Sequence, residues 1–149
     1  MRIAADPKNN ASMRQILDSS NITKAAIRAA HYENGKELVS TAIDQANEPK
    51  TGKVSIIRRG RGGRKLSIRR RHVASAKGES PAVITGNYRD SFGFAAVSWH
   101  QLDFGNEAEY AGYLEDPDIL DRPGLGNAVK AREGDLFANY EGEIIGAFS

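Results

Sequence analysis

The stretch Lys53-Val54-Ser55-Ile56-Ile57-Arg58-Arg59-Gly60-Arg61-Gly62-Gly63-Arg64-Lys65-Leu66-Ser67-Ile68-Arg69-Arg70-Arg71-His72-Val73 decides the fold. Val54, Ile56 and Ile57 give residues 53–59 the β-branched character of a strand. Gly60-Arg61-Gly62-Gly63 has the conformational freedom of a tight turn. In residues 65–73, Leu66 and Ile68 alternate with Lys65, Ser67, Arg69 and Arg71, which predicts the returning strand. Strands joined by so short a turn are antiparallel. The prediction is a long β-hairpin, 53–73, with a basic tip.

On the N-terminal side, Asn21 is a good N-cap for a helix that Glu48-Pro49 ends, because a residue before proline avoids the α region. Ile22, Ala26, Ala29, Tyr32 or Glu33, Lys36, Val39, Ile43 and Ala46 fall at spacings of three and four, a narrow, Ala-rich stripe of which Val39, Ile43 and Ala46 are the firm apolar part. Residues 1–21 are polar and read as an arm, with at most a helical turn near Met13–Leu17. On the C-terminal side, Ala74–Ala82 is a loop of small residues. Asn87–Trp99 concentrates aromatic residues and reads as strand, followed by a turn at Gly105-Asn106. Tyr110–Leu114 reads as a short extended segment, which Asp116-Pro117 breaks. Pro123 opens a last helix carrying Leu125, Ala128, Val129, Arg132, Leu136, Phe137 and Tyr140 at helical spacing. The expected class is α+β: an antiparallel β-sheet with a long basic hairpin, packed by an N-terminal and a C-terminal helix. The expected organisation is an arm, 1–21, and one domain, 22–149.

The chain has 149 residues, with 21 basic and 19 acidic side chains and no cysteine. Lack of cysteine excludes a disulfide framework, a thiolate nucleophile and a Cys-ligated metal. No apolar run is long enough to span a bilayer, and the first residues lack the apolar core of a secretory signal. The net charge of +2 conceals segregation. From Lys50 to Lys77 there is no acid, and 11 of the 21 bases fall there. From Asp103 to Asp121 there is no base. Arg58, Arg59, Arg61, Arg64, Lys65, Arg69, Arg70 and Arg71 are therefore candidate contacts to DNA or to another subunit. Asp103, Glu107, Glu109, Asp116, Asp118 and Asp121 form a candidate acidic interface.

Catalytic patterns have little support. Gly124-Leu125-Gly126 follows no strand and lacks the third glycine of a dinucleotide fingerprint. His31, His72 and His100 fall in three elements without metal-ligand spacing. Ser91, His100 and Asp103 are imaginable as a triad, but no nucleophile elbow surrounds Ser91. Glu107 and Glu109 have no nearby apolar pocket to raise a pKa. Neither an enzyme nor a cofactor is expected.

Three punctuated stretches remain: Pro49–Val54, then His72–Phe92, then Tyr110–Pro117 with Arg122–Val129. Together they resemble the neck and tail-completion proteins of tailed phages, the small head–tail joining components of the lambdoid type. That family has a loop A-P-x-x-T-G-x-L-x-x-S, a later Y-A-x-x-v-E-x-G-T, and R-P-f-L-x-x-A opening the last helix. Here Ser80-Pro81 precedes Thr85-Gly86, Tyr88 takes the Leu position, and Ser91 matches the Ser of the first. Tyr110, Ala111 and Glu115 match the second. Arg122, Pro123, Leu125 and Ala128 match the third. Pro49–Gly52 and His72–Ala82 are similar to upstream motifs of one subgroup. Ile84, Lys77 and Asp116-Pro117 depart from the pattern.

The resemblance implies a structural subunit of the head–tail junction of a virion, made in the host cytoplasm. Its implied partners are copies of itself, in a cyclic ring of six or twelve, a head-closure or connector protein, and a tail terminator or tail tube protein. Genomic DNA would pass non-specifically, and no membrane is involved. The rival is a monomeric nucleic-acid-binding module built on the basic hairpin. No aromatic lies between Glu33 and Ala82, so base stacking has no platform there. An enzyme acting on DNA ends is a poorer third reading, because no carboxylate cluster lies near the basic run.

Overall fold

The computed structural model describes residues 7–61, 64–83 and 86–149. The chain is α+β. Helix α1 runs Pro7–Asn47. Strands β1, Val54–Arg61, and β2, Arg64–Val73, form the expected hairpin. A helical turn, α2 (Asn87–Asp90), precedes β3, Phe92–Ser98, and β4, Gln101–Asn106. A second short helix, α3 (Ala111–Glu115), leads to α4, Gly124–Ala147. The strands form two separate antiparallel pairs, β1–β2 and β3–β4.

Several boundaries differ from the sequence expectation. Helix α1 begins at Pro7, so Asn21 is helix interior. Ser19 and Thr23 are accommodated because each hydroxyl donates to the carbonyl four residues back, to Gln15 O at 2.8 Å and Ser19 O at 2.9 Å. Residues 87–90, expected as strand, form α2 and carry Tyr88 into the core. Gly105 and Asn106, expected as the turn, pair within the β3–β4 ladder with Gly93 and Phe92, and Trp99-His100 makes the turn. The segment after Tyr110, expected as extended, is α3: Ala111 N donates to Ala108 O at 2.8 Å and Asp116 N to Gly112 O at 3.1 Å.

Helices α1 and α4 lie antiparallel, and α1 also carries the β3–β4 hairpin. The buried positions of α1 are Ala26, Ala30, Asn34, Leu38, Ala42 and Ala46, with His31 and Gly35 beside them. This stripe is rotated from the expected one. Ile22, Ala29, Tyr32, Glu33 and Lys36 are exposed, and Val39 and Ile43 are half-buried. The rotation follows from polar residues being satisfied at the interface. Asn34 donates to Leu136 O at 3.2 Å and accepts from Asn139 Nδ2 at 2.8 Å. His31 Nε2 meets Trp99 O at 3.2 Å, which can only accept, and Nδ1 meets the Tyr140 hydroxyl at 2.6 Å. Arg132 Nε donates to Thr41 Oγ1 at 3.0 Å. The small alanines let the helices approach closely enough for these bonds to form.

The other side of α1 meets β3 through one glycine. A Cβ on Gly35 would overlap the Phe94 ring. That ring also stands edge-on to Tyr32, with centroids 5.6 Å apart. Gly35→Ala gains about 1 kcal/mol of helix propensity but forces overpacking that costs about 1–3 kcal/mol. Urea denaturation should show a net loss of stability. Gly134→Ala, in α4 with open space around the added methyl, should instead gain about 0.5–1 kcal/mol. A Gly35→Ala variant as stable as the parent would refute the close contact.

Candidate functional site: a loop knot at the root of a basic ribbon

The matched stretches, scattered through the sequence, fold against one another around two carboxylates. Glu115, at the end of α3, is the first hub. Tyr88 donates its hydroxyl to Glu115 Oε1 at 2.5 Å, and Leu125 N donates to the same oxygen at 3.0 Å. Tyr88 is buried with Ala108 and Ala111 in the small core that Phe92 and Leu114 complete. Burial, followed by the hydrogen bond to the Glu115 carboxylate, pushes the Tyr88 hydroxyl well above the ordinary tyrosine range, so it stays a donor. Gly124 admits this contact, because a Cβ there would overlap the Tyr88 hydroxyl and crowd Glu115 and Pro81. Arg122 N donates to Leu114 O at 2.8 Å and ties the start of α4 to α3. Pro81, Gly86 and Tyr88 line one cleft, and Tyr88 joins Ala111 and Glu115 by packing and a hydrogen bond.

Ser91 ends α2, its hydroxyl donating to Asn87 O at 2.6 Å. It stands at the opposite end of the β3–β4 hairpin from His100, so these residues make no triad. His31, His72 and His100 lie in α1, in β2 and in the β3–β4 turn. Thr85 and Ile84 lie outside the described residues.

Glu79 is the second hub, joining the Pro49–Val54 and His72–Ala82 stretches. One carboxylate oxygen accepts from Ala76 N at 2.8 Å and Thr51 N at 3.2 Å, and the other accepts from the Thr51 hydroxyl. These bonds, the Thr51 hydroxyl foremost, hold the carboxyl below its ordinary 4.5. Beside it, Lys50 donates to Gln45 O at 2.6 Å at the end of α1, and burial lowers its pKa. Asn127 donates to Gly78 O at 3.0 Å, which closes the loop onto α4.

The hairpin leaves from this knot. Gly52 N donates to Ala74 O and Ala74 N to Lys53 O, each at 3.0 Å, fastening its root. Beyond the root, β1 and β2 pair extensively only with each other among the described residues. Val54 and Ile56 are exposed. The register places Ile57 opposite Arg70, Arg58 opposite Arg69, Arg59 opposite Ile68 and Arg61 opposite Arg64, with an irregularity at Gly60. Gly62 and Gly63 lie outside the described residues, as do the side chains of Arg58, Arg59, Arg61, Arg64, Lys65, Arg69 and Arg70; Arg71 is exposed.

The acidic stretch divides in two. Asp103, Glu107, Glu109 and Asp118 are exposed. Asp116 is engaged internally: its carboxylate accepts from Asp118 N at 2.8 Å, and its carbonyl accepts from the N–H groups of Ile119, Leu120 and Asp121. Asp121, with φ of 48°, accepts from Gly78 N at 2.7 Å and pairs with Lys77 at 3.5 Å. Sequence reasoning missed Glu79 as a hub. The signal was available in the Lys50-Thr51-Gly52 and Gly78-Glu79 pair, each able to offer donors or a carboxylate to the other.

No protein family, curated protein or solved structure matches the chain. Among the described residues, no helix is long and apolar enough to cross a membrane.

The two hubs make separable predictions. Glu115→Ala orphans the Tyr88 hydroxyl and Leu125 N–H and should destabilise by about 1–3 kcal/mol. Tyr88→Phe, which leaves the Leu125 bond, should cost less when both are compared by urea denaturation. The Glu79 carboxyl, lowered in the fold, stabilises above the unfolded pKa, and that contribution is lost as pH falls from about 4.5 through the folded value. Glu79→Gln should therefore show a shallower loss of stability between pH 5 and 3. An unchanged acid profile would show that Glu79 does not set it.

Proposed function

We propose that this protein is a structural subunit of a tailed-phage head–tail connector, forming a closed ring that joins the tail to the DNA-filled head and surrounds the DNA path. The carrying observation is the ribbon β1–β2. It projects from the loop knot and sets Arg58 opposite Arg69 and Arg61 opposite Arg64 in register. Like charges directly across a strand pair are unfavourable. A ribbon of this kind gains from a polyanion or an acidic protein face laid along it.

A cyclic ring joins one patch of each subunit to a different patch of the next. The basic ribbon and the exposed acids Asp103, Glu107, Glu109 and Asp118 supply two patches of opposite sign. The ribbon then either lines the lumen or meets those acids on its neighbour. Phosphate contacts from Lys and Arg hold DNA without reading its sequence and let it slide. The stretches that carry the resemblance fold against one another, as the parts of a single contact surface would. A head-closure or connector protein on one side and a tail terminator or tail tube protein on the other are the partners this reading calls for.

The second reading, a monomeric nucleic-acid-binding module, draws on the same ribbon, because a two-stranded ribbon fits a major groove. Sedimentation and negative-stain images separate the two. The ring reading expects ring-sized particles, alone or on the isolated connector, that bind duplex DNA with a steep fall between 50 and 200 mM salt, about 10³-fold or more for six or more phosphate contacts. The double charge swap Arg69→Glu and Arg71→Glu should abolish assembly if the ribbon meets a neighbour, and DNA binding alone if it lines the lumen. A strict monomer that binds nucleic acid with no connector present or needed would overturn the ring.

A further inference from the structure

Between the root of the ribbon and the loop knot lies a cleft of about 510 Å³. Its cationic groups are Arg122 and Arg89, His72 also lines it, and no acidic residue does so among the described residues. Its apolar wall is formed by Pro81, Val83 and Leu114. Arg89 is already engaged, with Nε and one terminal nitrogen on the Asp90 carboxylate at 2.5 and 3.0 Å. Arg122 differs. Its Nε is buried without a hydrogen-bond partner, and no ion pair involves its guanidinium among the described residues.

Ser75, which is only 3% exposed, lines the same cleft. Its hydroxyl is also buried and unpartnered. Only three buried side-chain polar atoms lack a partner among the described residues, and two of them belong to this cleft. Native structures satisfy nearly all buried polar atoms, so orphans gathered at one concavity call for an absent partner. Arg122 is half-buried, and its Nε–H, shut off from water without an acceptor, is a costly group to leave unpaired. Arg122 Nε can only donate and the Ser75 hydroxyl can donate as well, so one acceptor group would serve both.

We propose that this cleft is a docking site for an acidic segment of a partner polypeptide, in which a carboxylate pairs with Arg122 and Ser75 while a neighbouring aliphatic side chain packs on Pro81, Val83 and Leu114. A carboxylate matches the planar guanidinium with two parallel hydrogen bonds. The apolar wall favours a peptide over a sugar–phosphate backbone, which would set polar groups against it. The site lies at the root of the ribbon and does not depend on whether the ribbon touches DNA or whether the chain forms a ring. Occupancy would fasten the ribbon to the knot, because Ser75 and His72 belong to the ribbon side and Arg122 to the start of α4.

The test uses the full chain and a blocked tetrapeptide, Asp-Ile-Leu-Asp, titrated while the backbone amide spectrum is recorded. Shifts should gather at Ser75, Val83, Leu114 and Arg122. The peptide with both Asp residues changed to Asn should bind at least tenfold more weakly. Arg122→Gln should weaken binding tenfold or more, and Arg122→Lys should fall between it and the parent. Ser75→Ala supplies a readout that does not rest on Arg122. It removes an orphan donor, so the free protein should melt no lower than the parent while peptide affinity drops several-fold. Equal binding of the Asn peptide, shifts confined to the ribbon, or parent-like affinity in both Arg122→Gln and Ser75→Ala would overturn the proposal. So would tighter binding of a short duplex DNA at the same amides.

Discussion

Asn34 has no accessible surface, and the body of the molecule is arranged to satisfy it. A buried amide without partners costs several times what one ordinary hydrogen bond contributes. Here the carbonyl of Leu136 and the side chain of Asn139 complete it, both from α4. That requirement fixes the rotation of α1 against α4 and their spacing. It works only because Ala30, Leu38 and Ala42 on α1 and Ala128 on α4 allow close approach. Once this face of α1 is committed, Gly35 is turned toward β3, and Phe94 fills the space where a side chain would be. His31 then closes the arrangement, since one imidazole touches α4 and the β3–β4 turn together.

The remainder of the chain is attached to this body mainly by hydrogen bonds rather than by a large apolar core. The apolar cluster around Tyr88 is small, and Glu79 and Glu115 supply much of the loop geometry. Carboxylates accepting two or three N–H and O–H donors make strong, directional fastenings that a short loop can provide. They suit a surface that must keep its shape without bulk. They also leave the β1–β2 ribbon held at its root while its length projects.

The α+β class was legible because the hairpin announces itself by alternation and glycine, and because Pro49 and Pro123 bound the two helices. The loop residues around Glu115 were legible one by one as motif matches, but their convergence was not. It depends on Gly124 admitting the Tyr88 hydroxyl, a contact between residues 36 positions apart that no local pattern encodes. The buried face of α1 misled for a definite reason. Hydrophobic periodicity scores Asn34 and His31 as surface, whereas partners on α4 and at Trp99 bury them. The start of α1 misled similarly, because Asn21 has the look of a cap but lies inside a helix that begins at Pro7, where Ser19 and Thr23 bond back to carbonyls four residues earlier. Asn106 looked like a turn residue. Inside β4 its side chain instead donates to Tyr88 O at 2.7 Å and accepts from Ala108 N at 3.0 Å, binding α2 to the entrance of α3.

Charge segregation takes a narrower meaning once the acids are separated by what they touch. Asp116 and Asp121 stabilise a turn in which one carbonyl takes three N–H groups and an aspartate occupies the left-handed region. These two acids are committed to the fold. Asp103, Glu107, Glu109 and Asp118 point to solvent and can answer a basic surface elsewhere. The bases divide in the same way. Lys77 is spent on Asp121, and Lys50 caps the end of α1 through Gln45. In the ribbon, Arg58 stands opposite Arg69 and Arg61 opposite Arg64, while Arg59, Arg70 and Arg71 stand opposite isoleucines. Like charges directly opposite on a strand pair are unfavourable. Under the proposed function, a polyanion or an acidic face laid along the ribbon would relieve that repulsion and add attraction.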